Sequence, residues 1–344
     1  MTRRVRDADR PGLTADGLGG ATEPVAGGDR HRPVLVERVV ELLAPALAGL
    51  AAVYVDATVG LGGHAEAVLE RCPTARLVGL DRDPDALALA GERLARFSGR
   101  VTLRRAVFDR LPELLADLGV TAVAGVLLDL GLSSLQIDDV ARGFSYSRDS
   151  PLDMRMGGTA DGSVTAADLV NLSGEDELAR LLRDNADERF ARRIAAAIVE
   201  DRVEEPFTGS ARLAATVERA IPQAARSSGG HPAKRTFQAL RMAVNHERES
   251  LAAVLPAALG ALAVGGRIVV LSYHSGEDRV VKRALAEAAA DRVPPGLAVV
   301  PDHLAARFRL LVDGAERPDA AELAVNPRSA SARLRAAERL KEEA

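Results

Sequence analysis

Tyr54-Val-Asp-Ala-Thr-Val-Gly-Leu-Gly-Gly-His-Ala65 is a short apolar strand that runs into glycines at the start of a helix. Val53 to Val55 are β-formers, and Gly60, Gly62 and Gly63 let the backbone turn tightly and come close to a ligand. A helix opening near His64 aims unpaired N–H groups at a polar or anionic group. Leu77 to Leu80 reads as a second strand and ends at Asp81, the position from which a doubly wound sheet holds the two hydroxyls of a ribose. Loop and acid together imply a nucleoside-containing cofactor. Gly60-Leu-Gly62-Gly63-His64-Ala65 also fits the loose G-x-G-x-x-G/A pattern of dinucleotide enzymes, so a nicotinamide dehydrogenase is the competing reading.

Working outward, strand and helix alternate: helix Ala65 to Arg71, helix Pro84 to Phe97, strand Val101 to Leu103, helix Leu111 to Leu118 and strand Ala124 to Leu130. Such alternation predicts a parallel sheet with helices on both faces. The next convincing strand, Arg267 to Leu271, comes more than a hundred residues later, far beyond the length of a single crossover. A helical domain inserted over 137–243 is therefore expected, with the sheet domain built from 31–136 and 244–340. Its stripes are Leu178, Leu181 and Leu182; Phe190, Ile194 and Ile198; and Leu213, Val217 and Ile221, the last stopped by Pro222. Residues 1–30 have no hydrophobic period and read as a disordered extension. Candidate strands follow near Leu297 to Val300 and Phe308 to Val312, and the segment from Asn326 is expected to close the sheet as an edge.

The chain has 344 residues, 47% hydrophobic and 27% charged, which fits a globular protein of one large or two modest domains. A single cysteine, Cys72, excludes an intramolecular disulfide framework, consistent with a reducing cytoplasm. No stretch reads as a membrane span or a secretory signal, and the six histidines lack the spacing of a metal site. A net charge of −4 argues against a generally basic coat, yet between Pro206 and His246 stand Arg212, Arg219, Arg226, Lys234, Arg235 and Arg241 against Glu218 alone. On a helix in that segment, Lys234, Gln238, Arg241 and Asn245 stack along one face, a set suited to phosphates and base edges.

Asp56-Ala-Thr-Val-Gly-Leu-Gly-Gly-His64, Leu128-Asp-Leu-Gly-Leu-Ser-Ser134, Arg142-Gly-Phe144, Pro151-Leu-Asp-Met-Arg-Met156, Glu188-Arg-Phe190, Arg235-Thr-Phe-Gln-Ala-Leu-Arg241, Gly265-Gly-Arg267, His274-Ser275, Glu277-Asp-Arg279 and Asn326-Pro-Arg-Ser329 together resemble the bacterial 16S ribosomal RNA (cytosine-N4) methyltransferases, the RsmH/MraW family. The resemblance spans about His31 to Leu340. It implies a class I S-adenosylmethionine-dependent methyltransferase fold, a Rossmann-like doubly wound sheet with an inserted α-helical domain. It also implies a cytoplasmic enzyme that methylates N4 of cytidine 1402 of 16S rRNA, at the decoding centre of the small ribosomal subunit. The cofactor contacts carried over are Gly62, Gly63, His64, Asp81, Phe108, Asp129 and Gln136. The chain departs from the family's usual pattern at Leu135, Asn185-Ala-Asp187, Gly276 and Ala330.

Cytosine N4 has its lone pair delocalised into the ring, so an acceptor must engage its amino protons. Asp129, Ser133, Ser134 and His274, at the ends of the fourth and fifth strands, are the candidates for that pocket. Phe144 and Tyr273 are available to stack on a base. Lys234, Arg235, Gln238, Arg241 and Asn245 are the candidate RNA contacts. A catalytically silent RNA-binding assembly protein on the same fold is the remaining alternative.

Overall fold

The computed structural model describes residues 32–162, 164–226, 230–292 and 300–342. The expected disordered extension over 1–30 and residues 297–299 of the strand expected at Leu297 to Val300 lie outside them. Seven strands form one sheet: β1 (Val53–Asp56), β2 (Arg76–Asp81), β3 (Val101–Arg105), β4 (Val123–Asp129), β5 (Leu262–Ser272), β6 (Phe308–Leu310) and β7 (Arg333–Arg339). They lie in the order β3-β2-β1-β4-β5-β7-β6. The first five run parallel, and β7 is antiparallel to both neighbours. The expected doubly wound α/β sheet is present.

Alternate residues of the central strands enter opposite layers, because successive side chains of a strand point to opposite faces. Tyr54 and Leu127 join Val39, Leu43, Val68 and Leu94 on one side, while Val55 and Leu128 join Leu251, Val254 and Leu255 on the other. Helices cover both faces, which is why these strands read as continuous apolar runs. The winding reverses between β1 and β4, adjacent in the sheet but distant in sequence. A crevice at the carboxyl ends of these strands follows from that reversal. There Asp56, Asp81 and Asp129 end their strands.

Between β4 and β5 the helices Ala166–Leu172, Glu175–Ala186, Ala191–Glu204, Ser210–Ala220 and Lys234–Val244 bury a core of their own. Leu178, Leu182, Ile194, Ile198, Leu213 and Val217 are fully buried in it, whereas Leu181 and Phe190 are only partly covered. One expectation is corrected. The segment after Asn326 does not form an edge: β7 sits inside the sheet between β5 and β6, and β6 is the edge. Arg335 in β7 reaches Asp278 of the helix Ser275–Ala288 through Nε at 2.8 Å, so a strand that reads as charged is accommodated inside the sheet by pairing with an acid on the covering helix. Among the described residues no helix is long and apolar enough to cross a membrane.

Candidate functional site

The loop after β1 is tied to both neighbouring strands. Asp129 N donates to Thr58 Oγ1 at 2.7 Å, and Gly60 N donates to Asp81 Oδ2 at 2.9 Å. Asp83 N donates to the other Asp81 oxygen at 2.9 Å. Burial pushes the Asp81 carboxyl up to about 6, with these N–H groups opposing the rise. The glycines divide the labour. Gly60 sits at φ +50° with nothing nearer to a would-be Cβ than Thr58 O at 3.8 Å, so its α-carbon faces open space. A Cβ on Gly62 (φ +79°) would touch Ala90 and Leu94 at 3.4 Å, and one on Gly63 would fall 2.4 Å from Pro33 Cγ. Gly62 and Gly63 thus serve close packing, while Gly60, Leu61 and His64 line the cleft.

That cleft holds about 1770 Å³ and runs from the glycine loop to the Lys234–Val244 helix. Pockets for small ligands measure roughly 300–1,000 Å³, so a nucleoside would leave most of it for a second, larger molecule. At its floor stands Asp129, its side chain 24% exposed. Tyr273 donates its hydroxyl to Asp129 Oδ1 at 2.7 Å. His64 Nδ1 lies 3.5 Å from Oδ2, and Nε2 of the same ring donates to the Val34 carbonyl at 2.9 Å. Behind them Asp56 is fully buried and accepts from Thr58 N at 3.2 Å and Tyr54 Oη at 3.2 Å. Burial pushes its carboxyl up to about 7, against the pull of His64. Burial, then the nearby Asp129 charge, pushes the Tyr273 phenol well above its ordinary value.

The other candidates at the strand ends have structural partners. Ser133 caps the helix Ser134–Asp138, accepting from Gln136 N at 3.2 Å, while Gln136 Oε1 accepts from Ser133 N. Gln136 Nε2 donates to Asp83 and to the Met156 carbonyl. His274 caps the helix Ser275–Ala288, its Nδ1 accepting from Glu277 N at 3.3 Å and its Nε2 lying 3.2 Å from Glu277 Oε1. A Cβ at Gly276 would press on that ring at 3.0 Å, so the glycine there leaves room for the cap. Burial alone would raise the Glu277 carboxyl, but His274, Arg241 and the Tyr273 N–H outweigh it and hold it below the usual range. Ser134, Phe108, Phe144 and Gln136 line the cleft.

On the lobe side the expected stripe divides. Lys234 and Arg235 are exposed and Gln238 is half-buried, all three facing the cleft. Arg241 is held by Glu247 through two contacts of 2.8 Å. Asn245 is buried, accepting from Met156 N at 2.8 Å and donating to the Met154 carbonyl at 2.7 Å. Arg241 and Asn245 line the cleft but are engaged by the protein itself. Sequence reasoning missed Glu247, whose signal is only an acid six residues beyond Arg241. It also missed Asp83, a helix cap with Pro84 behind it, to which Arg142 binds at 3.1 Å.

Residues 28–340 match the model of the MraW methylase family. The chain belongs to that family. Relatives named ribosomal RNA small subunit methyltransferase H include one from Acidothermus cellulolyticus, 58% identical, covering 91% of this chain and 94% of its own length. Those from Frankia alni (59% identical; 90% and 95% covered) and Saccharopolyspora erythraea (58%; 91% and 94%) are similar. Among solved structures, an rRNA methylase from Streptococcus thermophilus aligns over 89% of this chain and 94% of its own at 11% identity and a TM-score of 0.36.

Membership of a methylase family removes the dehydrogenase reading, and the fold is the class I S-adenosylmethionine-dependent methyltransferase fold expected. S-adenosylmethionine is the methyl donor of this MraW methylase. The residues present fit it. The open face of Gly60 admits a ligand to the backbone, and Asp81, at the edge of the same cleft, keeps lone-pair capacity for a hydroxyl beyond the backbone N–H groups it accepts.

Proposed function

We propose that this chain methylates N4 of a cytidine in the 16S rRNA of the small ribosomal subunit, the position numbered 1402 by convention, and that it does so in the cytoplasm. The names of its relatives supply the RNA. The observation that carries the chemistry is Asp129: a carboxylate partly open to the cleft, gripped from behind by Tyr273 and His64, at the strand end beside the glycine loop. When bound, S-adenosylmethionine supplies a methyl on a sulfonium, which departs as a neutral thioether. Asp81 and the loop at Gly60 hold the nucleoside half of the donor, with Phe108 and Gln136 beside it. Asp129 accepts a hydrogen bond from the cytosine amino group, which lets the nitrogen pyramidalise and direct its lone pair at the methyl. As the C–N bond forms, the surplus N4 proton leaves through Asp129 to water. In-line positioning of the two partners lowers the barrier by several kcal/mol, on the order of what held reactants gain.

Ser134 borders the acceptor pocket. Ser133 and His274 act through the backbone they cap. Lys234, Arg235 and Gln238 receive the RNA, while Arg241 and Asn245 hold the helix that presents them. The test uses small subunits from cells lacking this chain, incubated with it and tritiated S-adenosylmethionine, followed by mass mapping of the rRNA. Label in one N4-methylcytidine is expected. Label on another atom overturns the N4 assignment, and no label favours the silent assembly protein.

A further inference from the structure

The chain is poor in aromatics, with no tryptophan, three tyrosines and seven phenylalanines. Six of these line the cleft: Phe108, Phe144, Tyr146, Phe190, Phe237 and Tyr273. Four of the six, Phe144, Tyr146, Phe190 and Phe237, belong to or pack against the core of the helical lobe, so the lobe wall of the cleft carries most of the rings. On the lobe wall three rings form a tier. Phe237 is buried at 3% exposure in the lobe core, and Tyr146 stands edge-on to it at 5.8 Å and 77°. His231 stacks on Tyr146 at 4.8 Å and 26° and is itself exposed. The imidazole is oriented by its Nδ1, which accepts from Ala233 N at 3.2 Å. Exposed cations flank the tier: Arg148 two residues after the tyrosine, and Lys234 and Arg235 one turn beyond the histidine.

We propose that the Tyr146–His231 stack is a landing platform for one unpaired nucleobase of the RNA near the methylated cytidine, an inference that rests on the rRNA reading above. A flat ring anchored in the core, with its outermost member in a wide cleft and cations on both sides, is how single-stranded RNA is gripped: bases lie on rings while phosphates meet Arg and Lys. A stack that served only to seal the lobe would end in a covered ring, yet the outermost one is open to solvent. The platform holds a neighbour of the target, so it sets the register in which the strand enters and leaves the methyl transfer itself to the carboxyl ends of the central strands.

The experiment measures steady-state methylation of unmethylated small subunits by the full chain and by His231→Ala, His231→Trp and Lys234→Ala. Base–ring stacking is worth about 1–3 kcal/mol, so His231→Ala is expected to raise KM for the subunit at least ~5-fold. Its kcat and its affinity for S-adenosylmethionine stay unchanged. His231→Trp, which keeps a stacking face, restores KM. The salt dependence of subunit binding separates stacking from charge: Lys234→Ala lowers the slope by about one, and His231→Ala leaves it as it was. An unchanged KM in His231→Ala, or a tryptophan that fails to restore it, overturns the platform while the rRNA reading stands. No methylation of subunits by the parent chain overturns both.

Discussion

The two walls of the cleft are built on opposite plans. On the sheet wall, acids at strand ends are held by groups that the fold cannot withdraw: Asp81 by the N–H groups of Gly60 and Asp83, Asp129 by Tyr273 and His64. On the lobe wall, charge of the opposite sign lies on a helix whose inner members are neutralised within the protein, Arg241 by Glu247, leaving Lys234 and Arg235 at the rim. Under the proposed function, the first arrangement is pre-organised for a small ligand and for transition-state charge, and the second is an adaptable edge for a polyanion, where individual contacts contribute little and sum over many. The difference predicts large, localised effects on the sheet side and small, distributed ones at the lobe rim.

Asp129→Asn tests the sheet side at its strongest point. It preserves shape but removes the charge that accepts the amino proton, so kcat on small subunits should fall about 10³-fold or more. Turnover within a few-fold of the parent would break the contrast, because Asp129 would then be no more critical than a rim cation.

Next in size is the largely buried pair Arg241–Glu247, which ties the lobe helix to the helix Glu247–Ala261 packed on the sheet. Removing one member of such a pair leaves the other uncompensated, which costs about 3–5 kcal/mol. Arg241→Met should therefore lower the unfolding free energy in urea by about that much, and adding Glu247→Met should recover most of it. If Arg241 were instead an RNA contact, Arg241→Met would keep its stability and lose affinity for the subunit, and the lobe helix would be a reading face along its whole length.

This contrast also explains what could be read from the sequence. Strand, loop and Asp81 were legible because glycine spacing and apolar runs report backbone needs that are local. The lobe stripes at Ile194 and Ile198 or Leu213 and Val217 were legible for the same reason: periodicity is burial. Which glycine has open space beside it was not, because Gly60 differs from Gly62 and Gly63 only in what lies opposite, namely Ala90, Leu94 and Pro33 from other segments. Likewise a helical wheel groups Arg241 and Asn245 with Lys234 but knows nothing of Glu247 or of the Met154–Met156 backbone that claims the asparagine. The segment from Asn326 is expected to join the sheet as an edge, but its place inside was not legible, because its register is set by β5 and β6 and the charges of Arg333-Leu-Arg-Ala-Ala-Glu-Arg339 suggest an edge when its neighbours are unknown. His274 follows the fifth strand and so is a candidate for the acceptor pocket; its acceptance of the Glu277 N–H is a matter of three-dimensional placement that the sequence does not display.

The smallest effect concerns the acids that the sheet wall keeps out of water. Burial raises the Asp56 carboxyl from 3.8 to about 7 and Asp81 to about 6. A folded state that binds protons more tightly than the unfolded chain is favoured where those protons are present. The contribution is thus complete below about pH 3.8 and is lost as the pH rises through the folded-state values, so these two groups make stability decline between about pH 4 and 7. One proton corresponds to a slope of at most about 1.4 kcal/mol per pH unit. Asp56→Asn keeps a carbonyl for the Thr58 N–H but cannot titrate, so urea unfolding across this range should show a shallower decline by up to that amount. Equal slopes in parent and variant would mean that Asp56 stays ionised in the fold despite its burial.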